Sequence, residues 1–103
     1  MKNNYTIKYL PSFSEDLNSI LYYMKYSLKD KELAKNFYNE VKKKIELRLL
    51  NPESFEVYRK TIDGKYNWYR IYFNNYTIFY TIKDYTMEVS RIIYSKRNLK
   101  DLL

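Results

Sequence analysis

The polar and apolar positions of this chain change rhythm several times, and each change marks an element. "YTIKYL" alternates with a period of two and is rich in β-formers, so Tyr5 to Leu10 reads as a first strand that Pro11 stops. The period then lengthens. Phe13, Leu17, Ile20, Leu21, Met24 and Leu28 share one face of a helix over about 13–28, with Ser12 and Glu15 at capping-box spacing. Asp30 is the expected N-cap of a second helix, in which Ala34, Phe37, Tyr38, Val41, Ile45 and Leu49 continue the helical period until Asn51-Pro52 ends it. Two helices this close in sequence form an antiparallel hairpin.

Residues 51 to about 65 hold the second proline and the only glycine, Gly64, without a sustained period, and read as a loop back to the sheet. Three β-branched and aromatic runs follow, "YNWYRIYF", "YTIFYTIK" and "TMEVSRIIY", separated by Asn74-Asn75 and Asp84-Tyr85. The asparagine pair suits a tight hairpin because Asn tolerates positive φ. The order is β-α-α-β-β-β with a short tail that can form one helical turn. The expected fold is a single α+β domain over residues 1–103: a largely antiparallel four-stranded sheet, a meander plus the first strand, with the helical hairpin on one face. The other face is left partly open, and the surplus of tyrosine goes there.

Composition narrows the chemistry more than the fold. A chain of 103 residues, 46% hydrophobic and 30% charged, buries enough surface to fold without staples. It has no cysteine, which fits a reducing cytoplasm, and no histidine. The missing histidine removes the commonest general base, the Ser-His and Cys-His nucleophiles and the usual zinc sets, so no metal or cofactor is expected. The start, "MKNNYTIKYL", is too short and too alternating for a signal peptide, and no run approaches the ~20 apolar residues of a membrane span. Nineteen Lys and Arg against twelve Asp and Glu give +7, the footprint of a protein that meets something anionic. Lys42, Lys43 and Lys44 lie in the second helix and read as a solvated face.

Alternation in the second strand puts Tyr69, Ile71 and Phe73 on the core side and Trp68, Arg70 and Tyr72 outward. Arg70 between two aromatics can hold a phosphate while the rings stack on bases; it can equally cover a cross-strand aromatic cluster with its stem. In the last strand neither alternation is clean. Arg91 beside Val89 and Ile93 would be half-buried unless a bulge turns it, and so is expected to pair with a carboxylate. Tyr94, Lys96 and Arg97 follow where the strand leaves the sheet and side chains can converge. A phenol beside cations can take a proton, arginine can stabilise anionic oxygens, and lysine can act as an acid, the roles that RNA phosphodiester cleavage requires.

The closing segment "YRIYFNNYTIFYTIKDYTMEVSRIIYSKRNLKDLL" resembles the C-terminal half of the RelE/ParE superfamily of bacterial type II toxins. There, a Tyr-x-Ile-Phe-Tyr strand precedes a strand ending in Arg-Ile-x-x-x-x-Arg; here these are Tyr76, Ile78, Phe79 and Tyr80, then Arg91, Ile92 and Arg97. The resemblance implies a growth-inhibiting toxin held by a cognate acidic antitoxin. Its target would be either DNA gyrase, in the ParE-like manner, or messenger RNA on the ribosome, cut without metal in the RelE-like manner. RelE-like enzymes usually carry an arginine where this chain has Thr77, and many relatives carry a histidine at the place of Tyr94. Arg70 and Lys96 or Arg97 match basic positions of such enzymes. The missing arginine favours the target-binding inhibitor, with Arg70, Tyr94, Lys96 and Arg97 as the functional surface in either case. Leu99, Leu102 and Leu103 are expected to pin the tail. A non-toxic nucleic-acid-binding module is the remaining class, and would bind naked nucleic acid with a steep salt dependence.

Overall fold

The computed structural model describes residues 4–96 and Leu103. Along the chain run β1 (Thr6–Tyr9), α1 (Pro11–Tyr22), a π-helical turn (Tyr23–Ser27), α2 (Lys31–Arg48), β2 (Val57–Lys60), β3 (Asn67–Phe73), β4 (Tyr76–Lys83) and β5 (Thr86–Tyr94). The α+β class and the helical hairpin are as the sequence predicts. Arg97, Leu99 and Leu102, expected to close the site and the tail, lie outside the described residues.

The sheet has five strands in the order β1-β5-β4-β3-β2, where four were expected. The added strand is β2, inside the stretch read as a loop. It has only four residues, pairs antiparallel with β3, and shifts register between Val57 and Arg59, so no periodic run marks it in the sequence. The sheet is mixed because β1 lies parallel to β5, Thr6 opposite Thr86 and Tyr9 opposite Val89. Which edge an N-terminal strand joins depends on where the intervening helices deliver it, and alternation carries no information about that.

The first helix begins earlier and ends differently from the predicted 13–28. Pro11 stands in its first turn, where its missing N–H is no loss, and Leu10 occupies the N-cap without a side-chain cap bond. Ser12 is drawn elsewhere: its hydroxyl donates to the Ser90 carbonyl at 2.6 Å. After the π turn, Lys29 takes φ 54 and the Asp30 N–H reaches back to the Met24 carbonyl, a left-handed helix ending. Asp30 then caps α2 as expected, accepting the Leu33 N–H at 2.9 Å.

Phe13 and Leu17 from α1, Met24 from the π turn, and Ala34, Phe37, Val41 and Ile45 from α2 are buried against Tyr69, Ile71, Ile78, Tyr80, Met87, Val89 and Ile92 of the sheet. Leu28 and Tyr38, expected on those faces, are exposed. Lys43 and Lys44 are exposed as predicted, whereas Lys42 bends over the Tyr9 ring, 4.4 Å from its centroid. Strand β4 is buried on both faces from Thr77 to Thr81. On the face away from the helices, Phe79 lies under the rings of Tyr58 and Trp68, at 5.6 and 6.3 Å.

A bulge resolves the mixed alternation of β5. Phe79 pairs with Arg91 and Tyr80 with Val89, which leaves Ser90 without an opposite number. Side-chain direction therefore inverts at Ser90, and Val89 and Ile92 both reach the core. β1 pairs only as far as Val89, and beyond it α1 takes over the β5 edge.

Candidate functional site

The residues singled out by sequence lie around one end of the sheet but on different faces of it. Arg70, Phe79 and Arg91 occupy one cross-strand row, and Phe73, Tyr76 and Tyr94 another. Cross-strand partners share a face, and Arg70 and Phe73 are three positions apart on one strand, so the rows face opposite ways. Arg70 therefore points to the open face, and Tyr94 to the helix side. Lys96 is exposed in the turn after β5.

On the open face, the Arg70 guanidinium lies 4.3 Å from the Tyr58 ring centroid and 5.3 Å from that of Tyr72. The exposed carboxylate of Glu56 approaches it at 4.0 Å. Of the two sequence readings of Arg70, the structure shows the packing one: its side chain, 24% exposed, lies among aromatics. Tyr58 belongs to this cluster although the sequence offered no sign of it, because the β2 bulge turns it toward Phe79.

Behind the sheet, Arg48 fixes the β3 backbone at this point. Its Nη1 donates to the Arg70 carbonyl at 3.0 Å and to the Tyr80 hydroxyl at 2.8 Å, while its guanidinium lies 3.5 Å from the Phe55 ring centroid. The Tyr80 hydroxyl in turn donates to the Pro52 carbonyl at 2.7 Å. Arg48 was legible only as the arginine that closes a helix whose other cations are lysines.

On the helix side, Tyr94 meets the Tyr76 ring edge-on at 5.7 Å. A pocket of about 390 Å³ opens between α1 and the end of β5, lined by Asp16, Ser19, Tyr23, Tyr76, Arg91 and Tyr94 among others. One wall is the ion pair the sequence anticipated for Arg91, which shares the Arg70 row but turns round the edge of β5 toward α1: Nε and Nη2 donate to the Asp16 carboxylate at 2.7 and 3.0 Å. This partner raises the arginine's pKa still further.

Three phenols depart clearly from their ordinary acidity, all in one direction. The hydrogen bond to Glu53 pushes Tyr5 up to about 12. Burial raises Tyr9 against the opposing charge of Lys42, and burial raises Tyr80 against Arg48. Each becomes a weaker acid, the opposite of what a tyrosine base needs. Among the described residues no cluster of three or more acidic, histidine or cysteine side chains could hold a metal ion.

Thr77 stands where RelE-like enzymes were expected to carry arginine. It is 1% exposed, and its hydroxyl lies 2.8 Å from that of Ser95. The family model described as "ParE toxin of type II toxin-antitoxin system, parDE" matches residues 7–99. The chain belongs to the ParE toxin family. A ParE-family toxin of a type II system has an antitoxin as its partner, as the sequence resemblance implied. No curated protein matches this ParE-family chain significantly. Among its described residues no helix is long and apolar enough to cross a membrane.

Proposed function

We infer that this ParE-family chain, acting as one toxin domain over residues 1–103, inhibits growth by docking on a target such as DNA gyrase, and that a cognate acidic antitoxin covers the docking surface. The observation that carries this reading is the separation of Arg70 and Tyr94 onto opposite faces of the sheet. Cleavage of RNA with Tyr94 as the base and Arg70 as the charge-stabilising cation requires the two to meet on one phosphodiester, each within about 3 Å of its atom. A protein target has no such requirement, because it can wrap the end of a sheet and engage both faces. Arg70, Tyr94 and Lys96, with Arg97 beyond the described residues, form that docking surface.

One further observation supports docking over catalysis. Thr77 is neutral and buried, so it supplies no charge to a phosphorane.

The test pairs two reactions on the purified chain: plasmid supercoiling by gyrase, and primer extension on a defined message in cell-free translation. Inhibited supercoiling with an intact message is the expected result. Ribosome-dependent cuts would replace this reading with a RelE-like, metal-independent endoribonuclease. Binding to naked nucleic acid without growth arrest would replace it with a non-toxic binding module.

A further inference from the structure

The open face of the sheet gathers rings and cations in alternation. Tyr58 and Trp68, both half-buried, are propped from below by buried Phe79, at 5.6 and 6.3 Å, and so are held in place. Tyr72, 62% exposed, stands beyond Arg70, whose guanidinium lies between it and Tyr58. Arg59 lies 5.7 Å from the Tyr58 centroid, and Lys83 lies 4.8 Å from that of Tyr66 on the same face.

We propose that this face is a binding platform for single-stranded DNA, on which Tyr58 and Tyr72 stack against bases and Arg70 holds the phosphate that links them. Flat aromatic side chains on a sheet recognise bases only when the base faces are splayed out, which a duplex does not allow. The excess of +7 over the chain supplies the attraction for a polyanion. An acidic protein would satisfy the cations and pack on the rings as well; what a single strand adds is that its alternating bases and phosphates match the alternating rings and cations. The choice of DNA over RNA rests on the gyrase reading, since that target acts on DNA.

Two carboxylates oppose the ligand. Glu56 approaches Arg70 at 4.0 Å with a side chain 87% exposed, free to swing aside when a phosphate takes its place. Glu88 stays on Lys83 at 3.5 Å. The Glu56 pair separates a local site from general attraction to a basic protein, because removing one exposed negative charge beside Arg70 strengthens binding at that site.

Fluorescence anisotropy of the full chain with labelled oligothymidylate tests the platform, alongside a duplex and an oligouridylate of equal length. Tyr72→Ala is expected to weaken oligothymidylate binding about tenfold while Tyr72→Phe preserves it, since stacking needs the ring and not the hydroxyl. Arg70→Ala should flatten the slope of log affinity against log salt by about 0.7, one phosphate contact on a single strand. Glu56→Gln should tighten binding about twofold. Tyr22→Ala, at an exposed tyrosine on α1, should change nothing, and circular dichroism confirms that each variant is folded. Equal affinity for duplex, tighter binding to oligouridylate, or indifference to both Tyr72→Ala and Arg70→Ala would overturn the proposal. Gyrase inhibition without oligothymidylate binding removes the platform and leaves the docking function; binding without inhibition does the reverse.

Discussion

Asp16 and Arg91, 75 residues apart in sequence, are joined so that a helix side chain completes the edge of a strand. The Asp16 carboxylate accepts Arg91 Nε at 2.7 Å and Nη2 at 3.0 Å, and also the backbone N–H of Ile92 at 3.0 Å. β1 stops pairing at Val89, so these contacts stand in for the strand that is absent beside Ile92.

Removing the two partners of this pair should therefore cost unequal amounts. Asp16→Ala takes the carboxylate away from a half-buried guanidinium and leaves the Ile92 N–H without its acceptor, and is expected to destabilise the fold by about 2–3 kcal/mol. Arg91→Ala leaves the carboxylate on Ile92 and should cost about 1–2 kcal/mol. Urea unfolding of the two variants checks the order; equal losses would show that the backbone contact contributes nothing.

The Tyr80 hydroxyl bridges Arg48 and Pro52 inside the core. Tyr80→Phe keeps the ring and strands the Pro52 carbonyl, with an expected loss of about 1–2 kcal/mol. That corresponds to a melting point lower by about 5 °C or more for a domain of this size. Thermal denaturation followed by circular dichroism measures it directly.

The turn between β4 and β5 holds Asp84 at φ 49 and Tyr85 at φ 61, both left-handed, as a two-residue mirror-image hairpin turn requires. Tyrosine is poorly suited to that region. Tyr85→Gly should relieve about 1 kcal/mol of strain, partly offset by the unfolded-state freedom of glycine and the lost ring contact with Tyr5 at 5.5 Å. A higher melting temperature is expected, and an unchanged or lower one would show that the ring contact outweighs the strain.

Tyr5, Tyr9 and Tyr80 bind their protons more tightly in the folded chain than the ordinary phenol value of about 10. Their contribution to stability is thus complete below pH 10 and is lost as pH rises through the folded values, which for Tyr5 means toward about 12. Stability measured from neutral to strongly alkaline pH should fall in that window. Tyr5→Phe should make the fall shallower, because the Glu53 hydrogen bond is then absent at every pH.

If the docking surface is correctly assigned, replacing Arg70, Tyr94, Lys96 and Arg97 together by alanine should abolish growth inhibition while the chain stays folded. Growth curves on induction, with circular dichroism of the purified variant, decide this. Full toxicity in a folded variant would remove those residues from the function.

Much of the architecture was legible because it is written in local periodicity. Strand alternation, the helical faces centred on Phe13 and Val41, the Asp30 cap and the Asn74 turn are all choices a short segment makes by itself. Strand β2 escaped notice because a four-residue edge with a bulge has too little pattern, and its pairing with β3 is what makes it a strand. Ser12 looked like a cap because its spacing from Glu15 is right for one; the Ser90 carbonyl is the better acceptor once α1 lies along β5.

The candidate site shows the same division. The sequence by itself determined which groups are available: Arg70 between Trp68 and Tyr72, Tyr94 before Lys96 and Arg97, no histidine anywhere, and a threonine at position 77. Tertiary structure alone decided which of them meet. The sheet turns Arg70 and Tyr94 to opposite faces, the Ser90 bulge reverses the direction of β5, and a bulge in β2 brings Tyr58 over Phe79. Side-chain direction is a local property only while a strand stays regular, and register and bulges depend on partners far away in the chain.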